Sequence, residues 1–428
     1  SMTADQVSWS EQGRLHLSYK GDIDAENVIT IQSDIDGNFG SSATIVEAGM
    51  TTHGIRLNDT VIVSNVNVTV KCLVTAISGA DVTVAPYDGV AIAALTTNLA
   101  TTILVYGSEY AKGTGYNAAA ATTVESRGAN EPDFKTFSNK PIILKDYYEV
   151  SGSDASRIGW VEITGEEGQS GYLWYLKAEA DTRARFNDYV EMAMLEGVKG
   201  SNTNAVDTFL GGVIAGNDEL VGTEGLFAAI ESRGNLTSGI TGVNAATDLA
   251  EFDAILAEFD KQGAIEENMM FVNRATSLAM DDMLASMNSY GAGGTSYGVF
   301  DNEEDMALNL GFSGFRRGSY DFYKSDFRYL NDLATRGGIN AANAAAAIRG
   351  VIIPAGTSTV YDQQLGKNLK RPFLHVRYRA SQTDNRKMKT WTTGSVGAST
   401  TALDAMQVHM LSERCLVTQG ANNFMLMK

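Results

Sequence analysis

Only two cysteines, Cys72 and Cys415, occur in 428 residues. A disulfide framework is therefore excluded as the main source of stability, and each thiol, set in a β-like segment, is expected to be free and buried. Prolines number five, too few for proline-rich linkers, whereas 43 glycines imply many turns and loops. Basic residues are scarce beside acidic ones, 33 against 51, for a formal charge of −18. A dedicated nucleic-acid binder needs clustered Lys and Arg to neutralise phosphates. The basic spots at Arg316-Arg317 and Arg386-Lys387-Met388-Lys389 are short and fit solvated loops or subunit contacts. Long hydrophobic runs are missing too. The one extended uncharged stretch, Val90 to Tyr106, holds four Thr and an Asn, so it reads as strand and turn, with no membrane implied. The first thirty residues carry charges throughout and lack an apolar segment, so no secretory signal is expected. Ser1 before Met2 fits a cloning remnant or a processed end.

Catalytic clusters are equally thin. The four histidines, His16, His53, His375 and His409, have no second ligand at metal spacing and read as surface or satisfied interior residues. Gly291-Ala292-Gly293-Gly294 lacks the Lys-Ser/Thr of a phosphate loop. Gly311-Phe312-Ser313-Gly314 places its second glycine one residue too early for a nucleophile elbow. Asp34-Ile35-Asp36-Gly37-Asn38 and Asp301 to Asp305 miss calcium-loop spacing and read as solvated acidic turns. The expectation is no catalytic, cofactor-binding or metal residue, no cofactor and no enzyme, although a site assembled from scattered carboxylates is not excluded by one sequence.

What is present points to architecture. With 44% hydrophobic residues, the chain can build cores for two or three domains. From Ile55 to Val84 short valine- and isoleucine-rich runs alternate with turns at Asn58-Asp59, Ser64-Asn65 and Ser78-Gly79-Ala80-Asp81, which predicts a small barrel at about 55–88. A long helix is predicted from Tyr172 to Glu196. Leu176, Ala180, Phe186, Tyr189, Val190, Ala193 and Met194 fall on one face, Glu179 with Arg183 and Asp181 with Arg185 pair on another, and Gly197 and Gly200 end the run. Asp248 with Glu251 opens a second helix that Gly263 stops. Met269 to Val272 reads as a buried strand, and Asn273 caps a third helix carrying Leu278, Met283, Leu284 and Met287. The last part is β and turn, with dense aromatics from Phe312 to Tyr329 interleaved with Arg316, Arg317, Lys324 and Arg328. That mixture resembles a single-strand nucleic-acid platform, but Asp321 and Asp326 in it weaken the reading. Ala341 to Ala347 is a short helix or packed loop.

The run Gly107-Ser108-Glu109-Tyr110-Ala111, then Asn139-Lys140-Pro141-Ile142-Ile143, then Tyr147 to Ser153 and the long charged helix, resembles the loop-to-spine region of tailed-phage major capsid proteins of the Hong Kong 97-type fold. The β insert resembles one carried by some members, including those of crAss-like phages. This resemblance implies an α+β fold. Its parts would be an N-terminal arm at 1–42, an extended loop at 43–170 with the insert, and a spine helix at 171–200. Axial parts would lie at 201–245 and 291–365, peripheral helices at 246–290 and peripheral C-terminal strands at 366–428. It also implies self-assembly into hexamers and pentamers of a head shell enclosing double-stranded DNA without sequence-specific contacts. Portal and decoration proteins would be partners, and assembly would take place in the host cytoplasm. Some members crosslink through Lys and Asn, but no matching pair is aligned here. The nearest rival is an encapsulin-like nanocompartment shell.

Overall fold

A computed structural model describes residues 1–25, 27–37, 53–66, 68–89, 92, 101–114, 130, 134–156, 163–164, 170–171, 174–200, 205–210, 221–288, 314–362, 367–394 and 401–428. The glycine run at 291–294 and the acidic stretch at 301–305 lie outside them, as does most of 311–314. The chain divides into two compact units, Ser10–Lys135 and Ser1–Trp9 with Thr136–Lys428.

After β1 (Val7–Gln12), six strands form the first unit: β2 (Ser18–Ala25), β3 (Val28–Asp34), β4 (Asp59–Ser64), β5 (Thr69–Ser78), β6 (Asp81–Pro86) and β7 (Thr101–Ser108). They close a barrel in the order β2-β3-β6-β5-β4-β7. Alternation sends Ile29, Ile31, Val61, Val63, Cys72, Val74, Val82, Val84 and Ile103 into one sealed core, as the period of two requires in a small barrel. Ser78 pairs with Asp81 across a two-residue turn in which Gly79 takes φ +61°, a conformation that suits a tight hairpin.

The predicted insert at 55–88 is thus too narrow. Strands β4, β5 and β6 alone would leave two open edges, which β2 and β3, from the stretch expected as an arm, and β7 close.

In the second unit the chain continues through β8 (Phe134–Asn139), β9 (Ile142–Ser151), α1 (Gly152–Ala155), β10 (Ile163–Thr164), β11 (Ser170–Gly171) and α2 (Trp174–Glu196). Next come α3 (Ala205–Leu210), α4 (Leu226–Arg233), β12 (Asn235–Thr237), α5 (Ala245–Gln262), β13 (Glu267–Val272) and α6 (Arg274–Asn288). Then follow β14 (Gly314–Arg317), β15 (Tyr320–Asp326), α7 (Arg328–Asn331), α8 (Arg336–Ala342) and β16 (Gly350–Pro354). The chain ends with β17 (Thr357–Asp362), β18 (Lys367–Pro372), β19 (Leu374–Tyr378), β20 (Lys389–Thr393), β21 (Ala405–Thr418) and β22 (Met425–Met427).

One mixed sheet runs β12-β22-β16-β13-β15-β14. Its core joins Phe252, Ile255 and Phe259 of α5, Met280 and Met283 of α6, and Phe315, Tyr320 and Phe322 of β14 and β15. The boundary expected at 290/291 between peripheral helices and a second axial part therefore cuts through a single core. Sequence spacing could not show this, because β13 pairs with both β15 and β16 across intervening segments.

Helix starts and stops follow their caps. Asn273 Oδ1 accepts from Thr276 N at 2.8 Å, as expected of an N-cap, and Gly263 closes α5 at φ +63°. The start of α5 lies earlier than predicted. Asn244 caps it by accepting from Thr247 N at 2.9 Å, while Asp248 accepts from Gly242 N and Glu251 from Thr241 N in the preceding loop.

Helix α2 ends at Glu196 as expected, where Gly197 passes so close to Gly225 that a Cβ on Gly225 would meet Gly197 N at 2.6 Å. Its buried stripe is narrower than predicted. Thr182, Phe186, Val190 and Met194, spaced by four, are buried and Ala193 packs half-buried beside them, while Ala180 and Tyr189 are exposed; the β9–β21 ladder and α4 cover this side of the helix. Glu179 pairs with Arg183 at 2.7 Å, but Asp181 is met by Lys177 one turn earlier, at 3.8 Å, and not by Arg185.

Candidate assembly surface

Strand β21 is the axis of a four-stranded sheet. Along one edge it pairs antiparallel with β9 over ten residues, from Ala405↔Ser151 to Arg414↔Ile142, and along the other with β20 and then β19. One face meets α2: Leu144 and Met410 pack on Phe186 and Val190. Tyr148, on that side, has its phenol pKa raised by burial and by Glu179.

The opposite face is divided. At one end Cys415 and Val417 are covered by Met2, Val7 and Trp9, with Phe137 against them, so the chain's own first residues occupy it. At the other end cross-strand partners form three rungs, the first closed at its centre by a buried Leu411. Lys145, Leu411 and Lys389 make one; Tyr147, His409 and Trp391 the next; Glu149, Gln407 and Thr393 the third.

The central rung is a stack. Tyr147 and His409 lie 6.0 Å apart at 26°, and Trp391 and His409 lie 5.2 Å apart at 17°, a cross-strand aromatic arrangement that rigidifies the sheet. His409 Nε2 and Thr393 Oγ1 are 2.8 Å apart, and Gln407 Nε2 donates to Glu149 Oε2 at 2.5 Å. Tyr147 nevertheless stays 57% exposed and Trp391 37%. This is a rigid surface with an aromatic centre and charged margins, the make-up of a protein-contact patch.

Asn139 anchors the loop beside β21. It is buried. Its Nδ2 donates to Leu416 O at 2.6 Å and Glu224 O at 3.0 Å, and its Oδ1 accepts from Glu224 N and Lys140 N, both at 2.8 Å. Sequence reading placed Asn139 in a motif without seeing this role, and treated His409 as isolated. No local pattern marks either role, because the partners of both residues come from distant segments.

The sequence candidates resolve otherwise. Arg317 pairs with Asp253, Lys324 with Asp281 and Arg316 with Asp321, so carboxylates already meet these cations of the aromatic stretch. Arg386 and Arg379 share Glu413, and Lys389 pairs with Asp384. Asp36 accepts from both Nε and Nη2 of Arg14 at 2.8 Å, and that guanidinium lowers the Asp36 pKa; the acidic turn is ion-paired. His53 and His375 have lowered pKa values, chiefly through burial, and His16 is exposed. Among the described residues no group of three or more His, Cys, Asp and Glu could hold a metal ion, and no helix is long and apolar enough to cross a membrane.

No protein-family profile matches the chain, nor does any curated protein. Among solved structures it is similar to the cyanophage Pam1 capsid asymmetric unit, at 12% identity and TM-score 0.37, covering 74% of this chain and 82% of that one. The asymmetric unit of the bacteriophage PhiM1 mature capsid matches at 8% identity and TM-score 0.35, covering 75% and 78%. The capsid structure of cyanophage P-SCSP1u matches at 9% identity and TM-score 0.33, covering 76% and 80%.

Proposed function

We propose that this chain is a major capsid protein that self-assembles into the icosahedral head shell of a tailed phage. One observation carries the reading: beyond the end of the sheet face that Met2, Val7 and Trp9 cover, the same sheet presents the rigid Tyr147–His409–Trp391 stack with Tyr147 and Trp391 exposed. A shell subunit needs such a surface beyond its own fold, to be filled by a neighbour. A barrel-bearing segment, a long β9–β21 ladder, a 23-residue α2 and a mixed sheet with its helices support the reading, in which the fold is of the Hong Kong 97 type and α2 serves as its spine helix. On this reading hexamers and pentamers form the shell. Portal and decoration proteins join it, DNA is enclosed without sequence-specific contacts, and assembly precedes release from the host cytoplasm. The chain's role is structural and not catalytic.

Electron microscopy of the purified protein across salt and crowding tests this directly. Closed shells or five- and six-membered rings are expected, and Tyr147→Ser with Trp391→Ser should keep the subunit folded while suppressing them. A monomer under all conditions, or a double variant that assembles like the parent, refutes the proposal.

A further inference from the structure

The barrel carries a recess of about 510 Å³ that plays no part in the proposed shell contacts, lined by Thr60, Lys71, Tyr87, Tyr106, Ser108 and Glu109 around Gly107. Its shape follows from a β-bulge. On the β4–β7 ladder Thr60 faces Gly107 but Val61 faces Val105, so Tyr106 is the extra residue, and bulges of this kind re-aim a side chain. Gly107 keeps the floor open, because a Cβ there would approach Thr60 Oγ1 to 3.2 Å.

One wall is fixed in advance. Glu109 is clasped to Asn58, its N donating to Asn58 O at 3.0 Å and its carbonyl accepting from Asn58 Nδ2 at 2.9 Å. Tyr87 OH donates to the Glu109 carboxylate, and Tyr87 N donates to Lys71 O at 3.1 Å. Both tyrosines remain about half exposed, Tyr87 at 51% and Tyr106 at 50%. Among the described residues the Thr60 hydroxyl, the Lys71 ammonium and the Tyr106 hydroxyl have no hydrogen-bond partner.

We infer that this recess binds a pyranose sugar. Two half-exposed tyrosine rings, Tyr87 held by its hydrogen bond to Glu109, offer electron-rich faces to the apolar C–H face of such a ring, as aromatic quadrupoles do for positively polarised hydrogens. Around them stand a cation, a carboxylate and hydroxyls, a set that donates to and accepts from vicinal sugar hydroxyls. One lysine beside one glutamate leaves no net charge, which disfavours a nucleotide or another anion. Holding the Tyr87 ring before binding cuts part of the ordering cost that weakens shallow sites.

Saturation-transfer NMR on the full chain, with methyl glucoside and N-acetylglucosamine as probes, tests this. Transfer to the ring protons of at least one probe is expected, with a dissociation constant on the order of 1 mM. Tyr106→Ala should weaken it about tenfold or more. Gly107→Val, which fills the floor, should abolish it while the thermal melt stays like the parent's. Absence of transfer from both probes, or transfer unchanged in Tyr106→Ala and Gly107→Val, overturns the inference. So does finding that Tyr106 is shielded by a neighbouring protein in assembled shells, which would assign the recess to a protein contact. Because unassembled protein serves, failure here is separable from failure of the shell proposal.

Discussion

Asn139→Ala should destabilise the subunit by about 3–4 kcal/mol, because a buried polar group deprived of its partner costs roughly 1–3 kcal/mol and several are orphaned together. The side chain makes five hydrogen bonds, to Glu224 O, Leu416 O, Glu224 N, Lys140 N and Thr223 Oγ1. They do not count equally. Leu416 pairs with Val376 in the sheet and Lys140 is only half-buried, so the Glu224 N–H, 2.8 Å from Asn139 Oδ1, carries most of the penalty. Urea titration of unassembled subunit, followed by far-UV circular dichroism, reads the loss as a lowered midpoint at constant slope. Asn139→Asp is the sharper probe. It keeps the acceptor but sets a carboxylate oxygen against the carbonyls of Glu224 and Leu416, so at pH 8 it should be the worse variant. The gap should narrow as the pH falls toward about 4, the ordinary carboxyl range, where a protonated carboxyl regains one donor. An Ala variant within about 1 kcal/mol of the parent, inside the spread of an ordinary surface substitution, or an Asp variant no worse than Ala at pH 8, would refute the reasoning.

Other outcomes follow from the same cores. Phe186→Ala should cost about 3–5 kcal/mol, since the ring is almost fully buried against Leu144, Val190 and Met410, and Phe186→Asp should leave no folded subunit by circular dichroism. Residues 10–135, expressed alone, should give dispersed amide NMR signals, because the barrel closes its own edges around its own core; a collapsed spectrum would show that the unit needs the rest of the chain. Burial pushes the Cys72 and Cys415 thiols up to about 11 and about 12, so neither should react with a thiol reagent at pH 8 until the protein unfolds. The sign of the linkage is that stability falls as pH rises above about 9, where the unfolded chain releases thiol protons that the folded chain still holds.

Much of the fold was legible because its signals are local. The valine and isoleucine alternation from Ile55 to Val84 marks strands whatever they pair with, Asn273 and Gly263 mark helix ends by their own backbone chemistry, and Gly197 stops α2 where two chain segments crowd. Errors arose where a choice depended on partners. The barrel's limits required knowing that β2 and β7 pair at Tyr19↔Ile103, and Tyr189 was assigned to the buried stripe because a period alone cannot tell how wide a surface covers a helix. Asp181 had basic residues four positions away on both sides, and geometry chose Lys177.

The candidate surface was illegible for a stronger reason. Tyr147, His409 and Trp391 come from three separate strands, and only the registers Tyr147↔His409 and Trp391↔His409 bring them onto one rung. In sequence each is a lone aromatic or imidazole with an ordinary structural explanation. The acidic balance, in contrast, was legible but incomplete. A charge of −18 says that like subunits repel, and Arg316, Arg317, Lys324, Arg386 and Lys389 are already paired with carboxylates of their own subunit. On the proposed shell reading, association of such subunits draws on apolar and aromatic area more than on opposite charge. Repulsion between unpaired carboxylates would moderate it and weaken with added salt. Assembly should therefore be promoted by raising ionic strength, the opposite of what a shell held by exposed intersubunit ion pairs would show.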